Sequence, residues 1–367
     1  MKTAIFHNFM DNIGGAEMVC LTLAREFGAD LYSTNVDNEK IAKMGFGGIP
    51  VQSIGRVPLD APFRQQIALA RFRALNLRGH YDFYIIGGDW AVSAAVNHKP
   101  NIWYVHSPIR EIWDLCGHIR KNYVPFIKKP LYDLWVAYNR YLNRRYVAHI
   151  QKIACNSATT RQRVTTYLHR NARIIHPPID TSHLTYKQNN GFWLSVNRLF
   201  THKRVDMQLK AFETMPDKKL VIVGSYERSS HFQRYAKHIQ NTTPPNVAIK
   251  SWVDSKELAD LYARCRGFIT TSLDEDFGMS AVEAMAAGKP VIAPNEGGYR
   301  ETVIDGITGR LIDNIDAGKL AAAVCELDTT CPEYKNACIQ RARAYDTSYF
   351  IKSIYSLMNG SGHRENQ

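Results

Sequence analysis

Glu275-Asp-Phe-Gly278-Met-Ser-Ala-Val-Glu283-Ala-Met-Ala-Ala-Gly288-Lys-Pro290-Val-Ile decides the reading of this chain. Gly278 opens an apolar-periodic run that predicts a helix over Met279–Ala287. Gly288-Lys-Pro290 ends it, because Gly suits a left-handed cap and Pro cannot continue a helix. Val291-Ile-Ala then reads as the next strand. A helix start offers unpaired N–H groups and the positive end of the dipole, a seat for phosphate. Glu275 lies before the helix, where it can point at a hydroxylated ligand. Glu283 lies on the second turn, where it can accept hydrogen bonds from a ribose diol. Two glutamates at this spacing carry little alone; the whole string is far more specific.

The same strand–helix alternation runs through the chain. Strands are predicted at Thr3–Phe9, Asp30–Thr34, Phe83–Gly87, Ile102–His106, Lys152–Asn156 and Arg173–His176. A second set is predicted at Phe192–Val196, Leu220–Gly224, Val247–Ser251, Gly267–Thr271, Pro290–Ala293 and Gly309–Ile312. Helices such as Gly15–Phe27, Val205–Phe212 and Leu258–Cys265 fill the gaps. Such alternation implies parallel sheets covered on both faces, and it occurs twice. The break falls at His176-Pro-Pro-Ile-Asp180. The expected organisation is an α/β protein of two Rossmann-like, doubly wound domains, 1–178 and 179–340. Residues 341–367 form a closing helix and a frayed tail, Asn359–Gln367; the stretch Pro332–Met358 reads as helix.

At 367 residues with 45% hydrophobic and 22% charged side chains, the composition is that of a soluble globular protein. No apolar run approaches the ~20 residues of a membrane helix. Met1-Lys-Thr-Ala-Ile-Phe-His-Asn reads as a first buried strand rather than a signal peptide. Seven cysteines without a C-x-x-C pair are expected to be reduced thiols of a cytoplasmic protein. A net charge of +12 favours a polyanionic partner: nucleic acid, an anionic membrane or a phosphorylated substrate.

Open parallel sheets bind ligands beyond the carboxyl ends of their strands. Asp11-Asn-Ile-Gly14-Gly15 follows the first strand and opens a helix, so backbone can approach a ligand there. His106 closes another strand in Trp103-Tyr-Val-His106-Ser-Pro108. Arg198 and Lys203, in Asn197-Arg198-Leu-Phe-Thr-His-Lys203, can converge on a diphosphate as a planar fork and a compact charge. Gly224-Ser225-Tyr226 and Ser251-Trp252-Val253-Asp254 also end strands, and Gly297-Gly298-Tyr-Arg-Glu301 reads as a glycine turn before a short helix.

The Glu275–Ile292 string resembles the signature of the retaining glycosyltransferases of family 4, which have the GT-B fold of two Rossmann-like domains facing a cleft. Ile109-Arg-Glu-Ile-Trp-Asp-Leu is similar to one subgroup, the mannosyltransferases of polysaccharide and lipopolysaccharide assembly. The resemblance covers nearly the whole chain and is strongest over Ile174–Ile312. It departs at Asn197, where a glycine is usual. It implies a nucleotide-sugar donor, GDP-mannose or a UDP-hexose, and no further cofactor. It places Gly14 and Gly15 beside the sugars and His106 against the transferred sugar. Arg198 and Lys203 fall on the diphosphate, and Trp252 and Val253 along the base. Glu275, Phe277, Gly278, Met279 and Glu283 fall around the donor, with Gly224 near the nucleotide. The closing helix is expected to cross back to the first domain. The acceptor is lipid-linked or a saccharide.

Asp274-Glu-Asp276 is formally a D-x-D metal motif of a different glycosyltransferase fold; the longer string explains the same residues without metal. Another sugar-nucleotide enzyme, such as a 2-epimerase, and a binding protein without turnover remain as rivals. Arg120–Arg145 interleaves Lys128-Lys129 and Arg144-Arg145 with Trp135, Tyr138 and Tyr141. It suits an anionic membrane interface at the cytoplasmic face, or else a solvated helix packing its aromatics inward. No nucleic-acid module is present, and nucleic acid is not expected as a partner.

Overall fold

The computed structural model describes residues 1–188, 190–225, 230–251 and 253–360. The chain divides into two compact units, Met1–His176 together with the chain from Ile351 onward, and Pro177–Phe350.

The first unit carries a sheet of β1 (Thr3–Phe9), β2 (Asp30–Thr34), β3 (Val51–Ser53), β4 (Phe83–Ile86), β5 (Asn101–Val105), β6 (Lys152–Cys155) and β7 (Arg173–Ile174). Their order is β3-β2-β1-β4-β5-β6-β7, and the pairings between neighbours are parallel. The central strands are almost wholly buried, as runs such as Ile102-Trp-Tyr-Val105 require of a sheet covered on both faces. Phe6, Phe72, Tyr84 and Trp103 fill its core. β3 has no counterpart among the predicted strands. It is a three-residue edge strand with two exposed positions, too short and too polar for an alternating pattern.

The second unit repeats the plan. Its strands are β8 (Phe192–Arg198), β9 (Lys219–Ser225), β10 (Val247–Lys250), β11 (Phe268–Ile269), β12 (Val291–Pro294) and β13 (Gly309–Ile312). Their order is β10-β9-β8-β11-β12-β13, again with parallel pairings. In each sheet the chain winds outward one way, returns to the centre and winds out the other way. The switch points lie at β1/β4 and β8/β11.

The helix after Gly278 spans Met279–Ala286, one residue short of the reading, with Gly278 itself at φ +87. The closing stretch differs more. It is a 3₁₀ turn, Cys331–Tyr334, and two helices, Lys335–Arg343 and Thr347–Met358. The interruption has a pairing reason. Ile179 N–H donates to Tyr345 O at 3.0 Å, and Thr347 N–H donates to Ile179 O at 3.1 Å. Asp346 then accepts from Ser348 N–H at 2.9 Å and starts the second helix. Within the first unit, Lys152 Nζ donates to Leu357 O at 2.6 Å.

Candidate functional site

At the switch point of the second sheet two loops are sewn together. One follows β8, which ends at Arg198, and contains Lys203 and Arg204. The other follows β11 and contains Asp274 to Gly278. Thr271 Oγ1 donates to Lys203 O at 2.7 Å, and Leu273 N–H donates to His202 O at 2.8 Å. Arg204 sits in the left-handed region at φ +50. Its guanidinium donates to Thr271 O at 2.5 Å and pairs with Glu296.

This stitching brings Lys203 Nζ to 2.5 Å from Glu275 Oε2, a pair 72 positions apart. Both side chains keep about a fifth of their exposure, so a ligand can reach them. Arg198 is half-buried at the carboxyl end of β8, where that loop begins. Asn197, the departure from the usual glycine, turns its amide back onto Ser195 Oγ at 2.5 Å.

The Glu275 loop is held from behind by glycines. Gly298 N–H donates to Glu275 O at 2.7 Å. A Cβ on Gly297 would lie 2.4 Å from Glu275 O, and one on Gly298 would lie 2.5 Å from Asp276 O. Gly278 is pressed on by the Tyr299 ring, which a Cβ would meet at 2.5 Å. Tyr299 is anchored in turn by Thr270, 2.6 Å between hydroxyls.

Glu283 is on the second turn and accepts from Tyr262 Oη at 2.7 Å. Burial raises its pKa, while Tyr262's donation pulls the other way. Phe277 is buried in the core and packs edge-on against Tyr345, so its side chain is committed to packing. Met279 and Val253 are partly buried against the same core. Gly224 makes its close approach to Asn197 O, which a Cβ would meet at 2.2 Å. Trp252 and Tyr226 lie outside the described residues. Among the described residues, no cluster of three His, Cys, Asp or Glu side chains has a metal-site arrangement.

In the first unit, Gly14 is the N-cap and Gly15 the first residue of the Gly15–Phe27 helix. His106 ends β5. Burial, reinforced by nearby His7, pushes its pKa down to about 3, and its buried Nε2 has no hydrogen-bond partner. A neutral ring with a spare nitrogen can donate to or accept from a hydroxyl.

Sequence reasoning missed the groups around it. His7 lies 3.4 Å from Cys20 Sγ and 4.0 Å from Glu17 Oε1. Burial opposes an imidazolium at His7, but Cys20 and Glu17 outweigh it and raise its pKa. Asp89 follows β4 and accepts from Asn8, and burial raises its pKa. The signal was present: Gly87-Gly88-Asp89 ends an apolar strand as Gly14-Gly15 follows one.

Residues 13–183 match the model of Glycosyltransferase Family 4, and residues 181–345 that of Glycosyl transferases group 1. The chain is 24% identical over 330 residues to the alpha-1,3/1,6-mannosyltransferase alg-2 of Neurospora crassa, covering 74% of this chain and 68% of that one. It is 34% identical over 146 residues to the GDP-mannose-dependent alpha-(1-6)-phosphatidylinositol monomannoside mannosyltransferase of Mycolicibacterium smegmatis, covering 36% and 37%. It spans about half the length, or less, of several other curated relatives it matches. Alr3699/HepE of Anabaena, solved with UDP and glucose, superposes with a TM-score of 0.77 at 18% identity, over 98% of this chain and 99% of that one. Two family domains in succession, on two doubly wound parallel sheets, make this chain a glycosyltransferase of family 4 with the GT-B fold.

Proposed function

We propose that the chain transfers a hexose, mannose from GDP-mannose, to a lipid-linked or saccharide acceptor, with retention at the anomeric carbon and without a metal. The observation that carries this is the Lys203–Glu275 pair at the β8/β11 switch point, beside the Gly278 helix start. It puts a cation for a diphosphate, a carboxylate for sugar hydroxyls and a helix N-terminus within one pair of loops. The mannosyltransferase relatives support the choice of sugar.

As the bond from sugar to diphosphate breaks, negative charge grows on the leaving oxygen. Arg198, Lys203 and the amides after Gly278 would stabilise that charge in place. Donor phosphate would share Lys203 with Glu275, and the Glu275 carboxylate would gain the sugar hydroxyls in exchange. Glu283 would hold the ribose. The first unit is assigned the acceptor, with Gly14 and Gly15 near the sugars and His106 on the transferred sugar, as the family resemblance implies. No side chain is assigned as a nucleophile, in keeping with transfer on one face of the sugar.

A UDP-hexose donor is the second reading, motivated by the UDP and glucose of HepE. Thermal-shift titration of the full chain with GDP and with UDP separates the two. The expected result is a larger rise in Tm with GDP. A larger rise with UDP would move the donor to a UDP-hexose, and no rise with either would remove the nucleotide site.

A further inference from the structure

Thirteen large hydrophobic side chains are exposed among the described residues, and six of them fall between Phe126 and Tyr141. Phe126 is 82% exposed, Ile127 91%, and Leu131 and Leu134 68% each; Tyr138 and Tyr141 are more than half exposed. The cause is the Lys129–Val147 helix, which is apolar on two faces. Val136 and Val147 are buried along one face, and Tyr132 and Trp135 pack against the core. Leu131, Leu134, Tyr138 and Tyr141 recur every three or four residues along the other, where a solvated helix carries polar groups. Inward packing thus accounts for Trp135 and Tyr132 but leaves this second stripe uncovered within the unit.

The charge around the stripe has one sign. Residues 116–147 hold seven Lys and Arg against a single carboxylate, Asp133. Asp133 is already held by Arg120 through two hydrogen bonds of 2.8 and 2.9 Å. Lys121, Lys128 and Arg145 are exposed at the ends of the stripe. Among the described residues no helix is long and apolar enough to cross a membrane.

We propose that this face docks on an anionic lipid bilayer, with Phe126, Ile127, Leu131 and Leu134 entering the interface and the flanking cations meeting lipid phosphates. Charge complementarity selects this occupant. An apolar strip rimmed by exposed cations matches a surface that is apolar within and anionic outside. Nucleic acid would use the cations but leave the leucines in water. Tyr138 and Tyr141 suit headgroup depth, where a ring is half solvated. The inference does not rest on the glycosyl-transfer reading.

The test is flotation of the full chain with phosphatidylcholine vesicles, with and without about one third phosphatidylglycerol, at low and high salt. The wild type should float with the anionic vesicles at low salt and less so as salt rises. The variant Ile127→Ser/Leu131→Ser/Leu134→Ser should bind at least tenfold more weakly with an unchanged Tm, since all three side chains are exposed. Lys128→Gln/Lys129→Gln/Arg145→Gln should lose binding to the anionic vesicles. Three results would overturn the proposal: no flotation of the wild type at low salt, equal flotation with phosphatidylcholine alone, or wild-type binding by the serine variant. A wild-type dimer that the serine variant turns into a monomer, without vesicle binding, would assign the face to a second copy of the chain. Donor turnover enters none of these readouts.

Discussion

Glu283 shows how much a single carboxyl can report. Its pKa is raised by burial, and Tyr262 is the hydrogen-bond donor that favours its charged form. Glu283→Gln removes charge-assisted bonds of about 1.5–3 kcal/mol, so calorimetry should show nucleoside-diphosphate affinity falling at least about tenfold. Tyr262→Phe removes the donor, so the Glu283 pKa should rise further. The protonated acid cannot accept fully from a ribose diol, so the acid limb of nucleotide binding should move to higher pH. An acid limb unmoved by Tyr262→Phe would detach Glu283 from the nucleotide. At this scale the sequence was legible where one residue type carries the meaning. Gly278 before a periodic run and His106 at a strand end are such cases. The Lys203–Glu275 bond was not, because its partners are 72 positions apart and meet only where β8 lies beside β11. His7, Cys20 and Glu17 were missed for the same reason. Their neighbours are set by strand order, which no local pattern encodes. Asp89, by contrast, did carry a local signal in Gly87-Gly88.

Among the elements, the turn after β12 controls the site without contributing a charge to it. Gly297 holds φ +59, and a Cβ there would run into the backbone of Glu275. Gly297→Ala adds left-handed strain of about 1–2 kcal/mol, and its methyl would meet Glu275 N at 2.7 Å. The loop must move. The expected outcome is a lower Tm together with a higher KM for the donor, read by thermal melting and steady-state kinetics. Normal donor KM in a folded Gly297→Ala protein would show that the Glu275 loop does not need this support. Long periodic elements were the most legible: Gly15–Phe27 has the predicted bounds. Short ones were not. β3 is a three-residue edge, and the break at Ala344–Asp346 depends on pairing with Ile179, far away in the sequence.

Over the whole molecule, the doubled strand–helix alternation foretold two parallel sheets, and both wind in the same order from a central switch point. That order is what turns scattered glycines, cations and carboxylates into a site, because open sheets present their ligand at the switch. The central claim is that the β8/β11 loops of this glycosyltransferase stabilise a departing nucleoside diphosphate. The most direct measurement is release of GDP from GDP-mannose by the full chain in EDTA, beside Arg198→Ala and Lys203→Ala. The account predicts steady release without metal, mannose appearing first as the α anomer by NMR, and a loss on the order of a hundredfold in both folded variants. Near-normal release in both variants, or release abolished by EDTA and restored by Mn²⁺, would contradict it.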